Sequence, residues 1–136
     1  MSVASMSVPV PSTMRLPFAP LSVSVARQRL KTFMNEAGGS GEAVEDARVV
    51  ISELVANSVR HARPLSDGQI HVSWVLEDRG LQLSVTDGGS GTRPRTVDAP
   101  SSALAGRGMA IVGILTQDWW TERTGSRSTV HALLNV

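Results

Sequence analysis

Between residues 22 and 37 the positions Val25, Arg29 or Leu30, Phe33 and Ala37 return at helical spacing, with Gly38-Gly39 directly after them. Glycine past the last periodic residue is a common helix stop, so the pattern predicts a first helix. A longer helical run spans 40 to about 62. Ser40 is placed to cap it, Glu42 and Glu45 sit in its first turns where a carboxylate complements the dipole, and Arg63-Pro64 ends it. The period then changes. Ile70, Val72, Trp74 and Leu76 alternate with polar neighbours, and after Asp78-Arg79-Gly80 the residues Leu81, Leu83 and Val85 alternate again, which predicts a β-hairpin. Residues 87–108 are rich in Gly, Pro, Ser and Thr and too long for an idle connection, so they predict a lid. A short helix over 108 to about 116 follows, then strands at 118–123 and 128–135 joined at Thr124-Gly125-Ser126. The predicted order is α-α-β-β-lid-α-β-β, with residues 1–13 as a flexible leader and 14–136 as a single domain.

Composition narrows the class. The length of 136 residues suits one domain, and 41% apolar with 18% charged residues is ordinary for a folded globular chain. A net charge of +1 without a lysine block or arginine stripe lacks the electrostatic footprint of a duplex-binding protein, so no direct nucleic acid contact is expected. There is no cysteine, which removes disulfides, thiolate zinc sites and a cysteine nucleophile, and which suits a cytoplasmic location. The apolar run at 110–115 is far below the roughly 18 residues that span a bilayer. No basic residue precedes Arg15, so neither a membrane span nor a secretory signal is expected.

Four stretches carry candidate chemistry. At about 100° per residue, Asn57, Arg60 and His61 fall within about 80° of Glu53, while Val44, Ala47, Ile51, Leu54 and Val55 lie roughly opposite. The arc is either a solvated polar face or a ligand floor; Val49, Val50 and Ala56 on or beside it favour the floor. A carboxylate and an amide oxygen one turn apart can divide labour, Glu as a base and Asn as an oxygen ligand for Mg²⁺. Asp87 ends an apolar strand before Gly88-Gly89-Ser90-Gly91. It is either part of a plain turn or a buried carboxylate that accepts from an exocyclic amine such as that of adenine. Gly106-Arg107-Gly108-Met109 opens the third helix with glycines that can bring backbone N–H groups to phosphate, and Arg107 adds charge there. No βαβ unit surrounds it and no Gly-Lys-Ser/Thr triplet occurs, so it is neither a dinucleotide fingerprint nor a P-loop. Thr129, in the last strand, either packs as a β-former or reaches the Asp87 region.

Taken together, Glu53-x-x-x-Asn57, Asp87-x-Gly89-x-Gly91, Gly106-x-Gly108 and Ser128-Thr129-Val130 resemble the four boxes of the Bergerat-fold (GHKL) ATPases, the superfamily of gyrase, the mismatch-repair protein MutL, sensor histidine kinases and anti-sigma factor kinases. The run from Ile51 to Ala62 is most similar to the short anti-sigma factor branch, and the resemblance covers about residues 15–135. It implies a two-layer α/β sandwich, a mixed and mostly antiparallel sheet with helices on one face. It also implies roles: Asn57 holds Mg²⁺, Glu53 is the general base, Asp87 takes the adenine amine, Gly89 and Gly91 flex the lid, Gly106 and Gly108 meet the phosphates, Thr129 supports the adenine, and Arg60 and His61 approach phosphate. A protein of that branch silences a sigma factor, releases it when a small antagonist binds, and phosphorylates a serine of that antagonist, often as a homodimer. The alternative is an ATP-dependent protein-binding switch without transfer; Glu53 favours the kinase, since binding alone needs no base. None of His61, His71 and His131 precedes the second helix, so an autonomous sensor histidine kinase is not expected; nor is a gyrase or MutL machine, which would need a transducer domain after the ATP domain.

Overall fold

The computed structural model describes residues 11–90 and 103–136, with side chains from 108 onward in the second stretch. Its elements are β1 (Ser12–Pro17), α1 (Leu21–Glu36), α2 (Gly41–His61), β2 (Gln69–Glu77), β3 (Gly80–Asp87), α3 (Ala103–Leu115), β4 (Asp118–Thr124) and β5 (Arg127–Leu134). The Ser40 hydroxyl accepts from the Ala43 N–H at 3.1 Å and fixes the start of α2. At the other end Arg60 and His61 occupy the last turn, where cations complement the dipole, before Pro64 blocks continuation.

The five strands form one sheet in the order β1-β2-β3-β5-β4, and every pairing is antiparallel rather than mixed. The reason lies in the crossover through α3. It leads from β3 to the edge strand β4, and β5 then returns between them, so β3 and β4, which run parallel, never pair. Alternation sorts the side chains. Leu16 and Ile70, then Val72, Val85 and Val130, then Trp74, Leu83 and Ala132, stand in register on one face. These join Leu30 and Met34 of α1, Ile51 and Leu54 of α2, and Met109 and Val112 of α3 in one buried cluster. Full burial of each such Leu or Ile contributes about 1.5–3 kcal/mol before the entropy of ordering is set against it. The helices therefore cover one face, and α2 lies centrally, touching α1, α3, β3 and β5. The opposite face carries polar rows, Arg15, His71, Thr86, Thr129 and Glu122 in one and Ser73, Ser84, His131 and Trp120 in the next.

Two expectations change. The predicted order lacked β1, and its residues Ser12 and Thr13, assigned to the leader, pair with Trp74 and Ser73. The third helix begins at Ala103 rather than 108, so it takes up the end of the expected lid. Among the described residues no helix is long and apolar enough to cross a membrane.

Candidate functional site

The buried stripe of α2 runs Val44, Ala47, Ile51, Leu54, and one turn later continues as Ser58, which is also buried. A hydroxyl on an apolar stripe needs a partner, because an unmade hydrogen bond inside costs more than a made one gains. Asp87 supplies it. At the end of β3, on the helix-covered face and 6% exposed, it accepts from the Ser58 hydroxyl at 2.6 Å and from the Gly89 N–H at 2.8 Å. Burial raises the Asp87 carboxyl above its usual range, while Ser58, the Gly89 N–H and the charge of Arg123 pull the other way. Each carboxylate oxygen accepts one bond, which leaves lone pairs for an incoming amine.

Glu53 lies five residues before Ser58, about 7.5 Å along the helix axis, with Asn57 between. Both are half-buried, and among the described residues neither side chain makes a hydrogen bond or ion pair. Beside them α3 comes very close: a Cβ at Gly108 would collide with the Glu53 carboxylate, so only glycine admits this approach without displacing it. Gly108 is the sixth residue of α3, past the four free N-terminal donors, so what it offers is close approach rather than a donor, whereas Gly106 is the fourth. This corrects the expectation for the Gly108 backbone. No group of three or more His, Asp or Glu forms among the described residues, so a dication here would be held by the Asn57 oxygen together with oxygens of its ligand.

The structure thus sets Glu53 against Gly108 and Ser58 against Asp87, with Asn57 between them in sequence on α2. Met109 is corrected: it is 1% exposed and packs in the core beside Val112. Thr129 is corrected as well. Its hydroxyl meets that of Thr86 at 2.8 Å on the sheet face away from the helices, whereas Ser128, buried, stands directly across from Asp87. Gly89, expected to flex a lid, is pinned: its φ is +84°, a Cβ would strike the Ser126 carbonyl, and its own carbonyl accepts from the Arg63 N–H at 3.0 Å. The Gly88 N–H donates to the Arg63 carbonyl at 2.7 Å, which completes a two-bond clip. Arg60 and His61 are exposed at the end of α2 and make no side-chain contact with this group among the described residues. Gly91 lies outside the described residues, and the Arg107 side chain is not described. Sequence reasoning missed Ser58, Ser128 and Arg123; the first two could be found from periodicity, since each continues a buried stripe.

The family model of the histidine kinase-like ATPase domain matches residues 16–133. The serine-protein kinase RsbW of Listeria monocytogenes serotype 4a (strain HCC23) is 32% identical over 118 residues, 78% of this chain and 75% of that protein. RsbW of Staphylococcus epidermidis is 32% identical over 78 residues, 56% of this chain and 49% of the relative. Among solved structures, the RsbU and RsbW domains of Rv1364c from Mycobacterium tuberculosis align with a TM-score of 0.71 at 21% identity, over 93% of this chain. This chain spans 32% of that larger one. The SiaB-SiaC complex from Pseudomonas aeruginosa aligns with a TM-score of 0.71 at 10% identity, over 97% of this chain and 93% of the other. At these identities the two structures bear on the fold alone. The family match and the Listeria relative carry further: this chain belongs to the histidine kinase-like ATPase domain family, on the branch of the RsbW serine-protein kinases.

Proposed function

We propose that this protein binds ATP with Mg²⁺, transfers the γ-phosphoryl group to a serine of a small anti-sigma factor antagonist, and silences a sigma factor until that antagonist binds. The observation that carries the reading is the half-buried Glu53 against Gly108, without a partner among the described residues, one turn from Asn57, on the helix whose Ser58 holds Asp87. Phosphoryl transfer asks for positioning and charge neutralisation more than for covalent chemistry. Asp87 takes the adenine amine, with Ser128 the hydroxyl across the sheet from it. The Asn57 carboxamide oxygen is the protein ligand for Mg²⁺, which neutralises phosphate charge when bound. Glu53 accepts the proton of the serine hydroxyl as its oxygen bonds to the γ-phosphorus and the bond to the ADP oxygen breaks. A cytoplasmic location and a homodimer belong to the same reading.

The test is capture of partners on the purified chain with Mg²⁺-ATP or ADP, followed by mass spectrometry. Sigma factor and a small partner bearing phosphoserine are the expected yield. Partner exchange between the nucleotides with no phosphoserine in any captured protein would leave the switch without transfer as the function. A second expectation concerns the Glu53–Gly108 approach. Gly108→Ala improves helix propensity by about 1 kcal/mol, yet its methyl displaces the carboxylate. Thermal stability should hold or rise while transfer falls about tenfold, because an ångström of misplacement is costly to a positioned base.

A further inference from the structure

A cleft of about 640 Å³ adjoins the turn after Asp87, with Gly88 on its wall, and is lined further by Arg15, Arg63, Asp67, His71, Ser126 and Arg127 among others. Its arginines come from three elements: Arg15 from β1, Arg127 from β5, and Arg63 from the connection after α2. Arg15 and His71 share one row of the sheet face away from the helices, and Arg127, two residues before Thr129, points to that face too. Among the described residues Asp67 is the one carboxylate on this lining, and it is already engaged. Its Oδ1 accepts from the Gln69 N–H at 3.0 Å, and its Oδ2 lies 3.4 Å from His71 Nε2 and 4.0 Å from an Arg15 nitrogen. Arg127 can only donate, and its Nη2 lies 3.4 Å from His71 Nδ1. The result is a line of contacts, Arg15, Asp67, His71, Arg127, with a guanidinium at each end. Arg63 has no side-chain partner among the described residues.

Among the described residues three fixed positive charges therefore meet one negative charge, in a chain whose net charge is only +1. Pro64 and Leu65 are the main apolar parts of the wall, which is too little for an apolar small molecule. The end guanidinia are separated by the Asp67–His71 pair, so they match spaced carboxylates rather than one compact anion, and each fork suits a carboxylate in two-bond geometry. We propose that this cleft receives an acidic, extended segment of a protein partner, held through carboxylates by Arg15, Arg63 and Arg127.

The test uses the full chain and a short fluorescent peptide alternating Glu and Ser, with the same peptide carrying Gln for Glu as its control, read by anisotropy. The Glu peptide should bind and weaken with salt, and the Gln peptide should not bind. Arg15→Glu with Arg127→Glu should weaken the Glu peptide at least about tenfold, since charge reversal replaces attraction by repulsion. Both residues are exposed, so the fold should survive. Arg29→Glu with Arg79→Glu, exposed arginines outside the cleft, should change it less than about threefold if the effect is local. Mg²⁺-ATP binding should be the same in both variants. Equal losses in the two double variants, equal binding of the Gln peptide, or full displacement by millimolar inorganic phosphate would overturn the proposal, the last by making the cleft a compact-anion site.

Discussion

Glu53→Ala is expected to slow transfer of the γ-phosphoryl group by about 10²- to 10⁴-fold, the usual contribution of a positioned base, while ATP still binds. The loss should fall on the chemical step because Glu53 makes no hydrogen bond or ion pair among the described residues that would tie it to folding or to the Asp87 end. Glu53→Gln keeps the volume beside Gly108 and removes the basicity, so it should be as slow as the alanine variant. Labelled phosphoserine appearing at the parent rate in both would remove Glu53 as base and leave it as a spacer between α2 and α3. Normal transfer in the glutamine variant alone would assign it to positioning.

Asp87→Asn should weaken ATP binding by about 10- to 100-fold, because an acceptor for the adenine amine becomes a donor, and bonds to charged groups contribute about 1.5–3 kcal/mol. The fold should hold: an asparagine oxygen still accepts from Gly89, and its nitrogen can donate to the Ser58 hydroxyl. Stability against pH offers an independent reading. The folded-state carboxyl lies above its unfolded value of 3.8, so the native chain binds that proton more tightly. Its contribution is fully present below pH 3.8 and is lost as pH rises through the raised value. Asp87→Asn should abolish that component, so the urea midpoint should decline less between pH 4 and neutrality, about, than in the parent. An unchanged profile would mean that Asp87 titrates as it does in the unfolded chain.

The first two helices and the hairpin were legible because their periods are long and clean and their ends are marked by Ser40, Pro64 and Gly80. β1 was not. It is a six-residue edge strand with one buried residue, Leu16, lying between Pro11 and the terminal Pro17, and a run so short shows no alternation strong enough to separate it from a tail. The start of α3 was lost because Gly106 and Gly108 look like helix breakers, whereas contact with α2 requires glycine at 108 and makes the local preference secondary. Within the site, Glu53, Asn57 and Asp87 were readable as residue types at a spacing. The choice between Ser128 and Thr129 was a matter of parity: Val130 faces the core, so Ser128 does too and Thr129 cannot. Arg123 was beyond reach, since its nearness to Asp87 depends on β4 lying outside β5.

The Arg63 clip to Gly88 and Gly89 is made wholly of main-chain groups. Side-chain drift at position 63 therefore leaves it intact, and what it constrains is the length of chain between α2 and β2. An inserted or deleted residue there would slide one partner past the other, and proline at 63 would delete a donor. Two segments that look like separate loops thus form one welded corner.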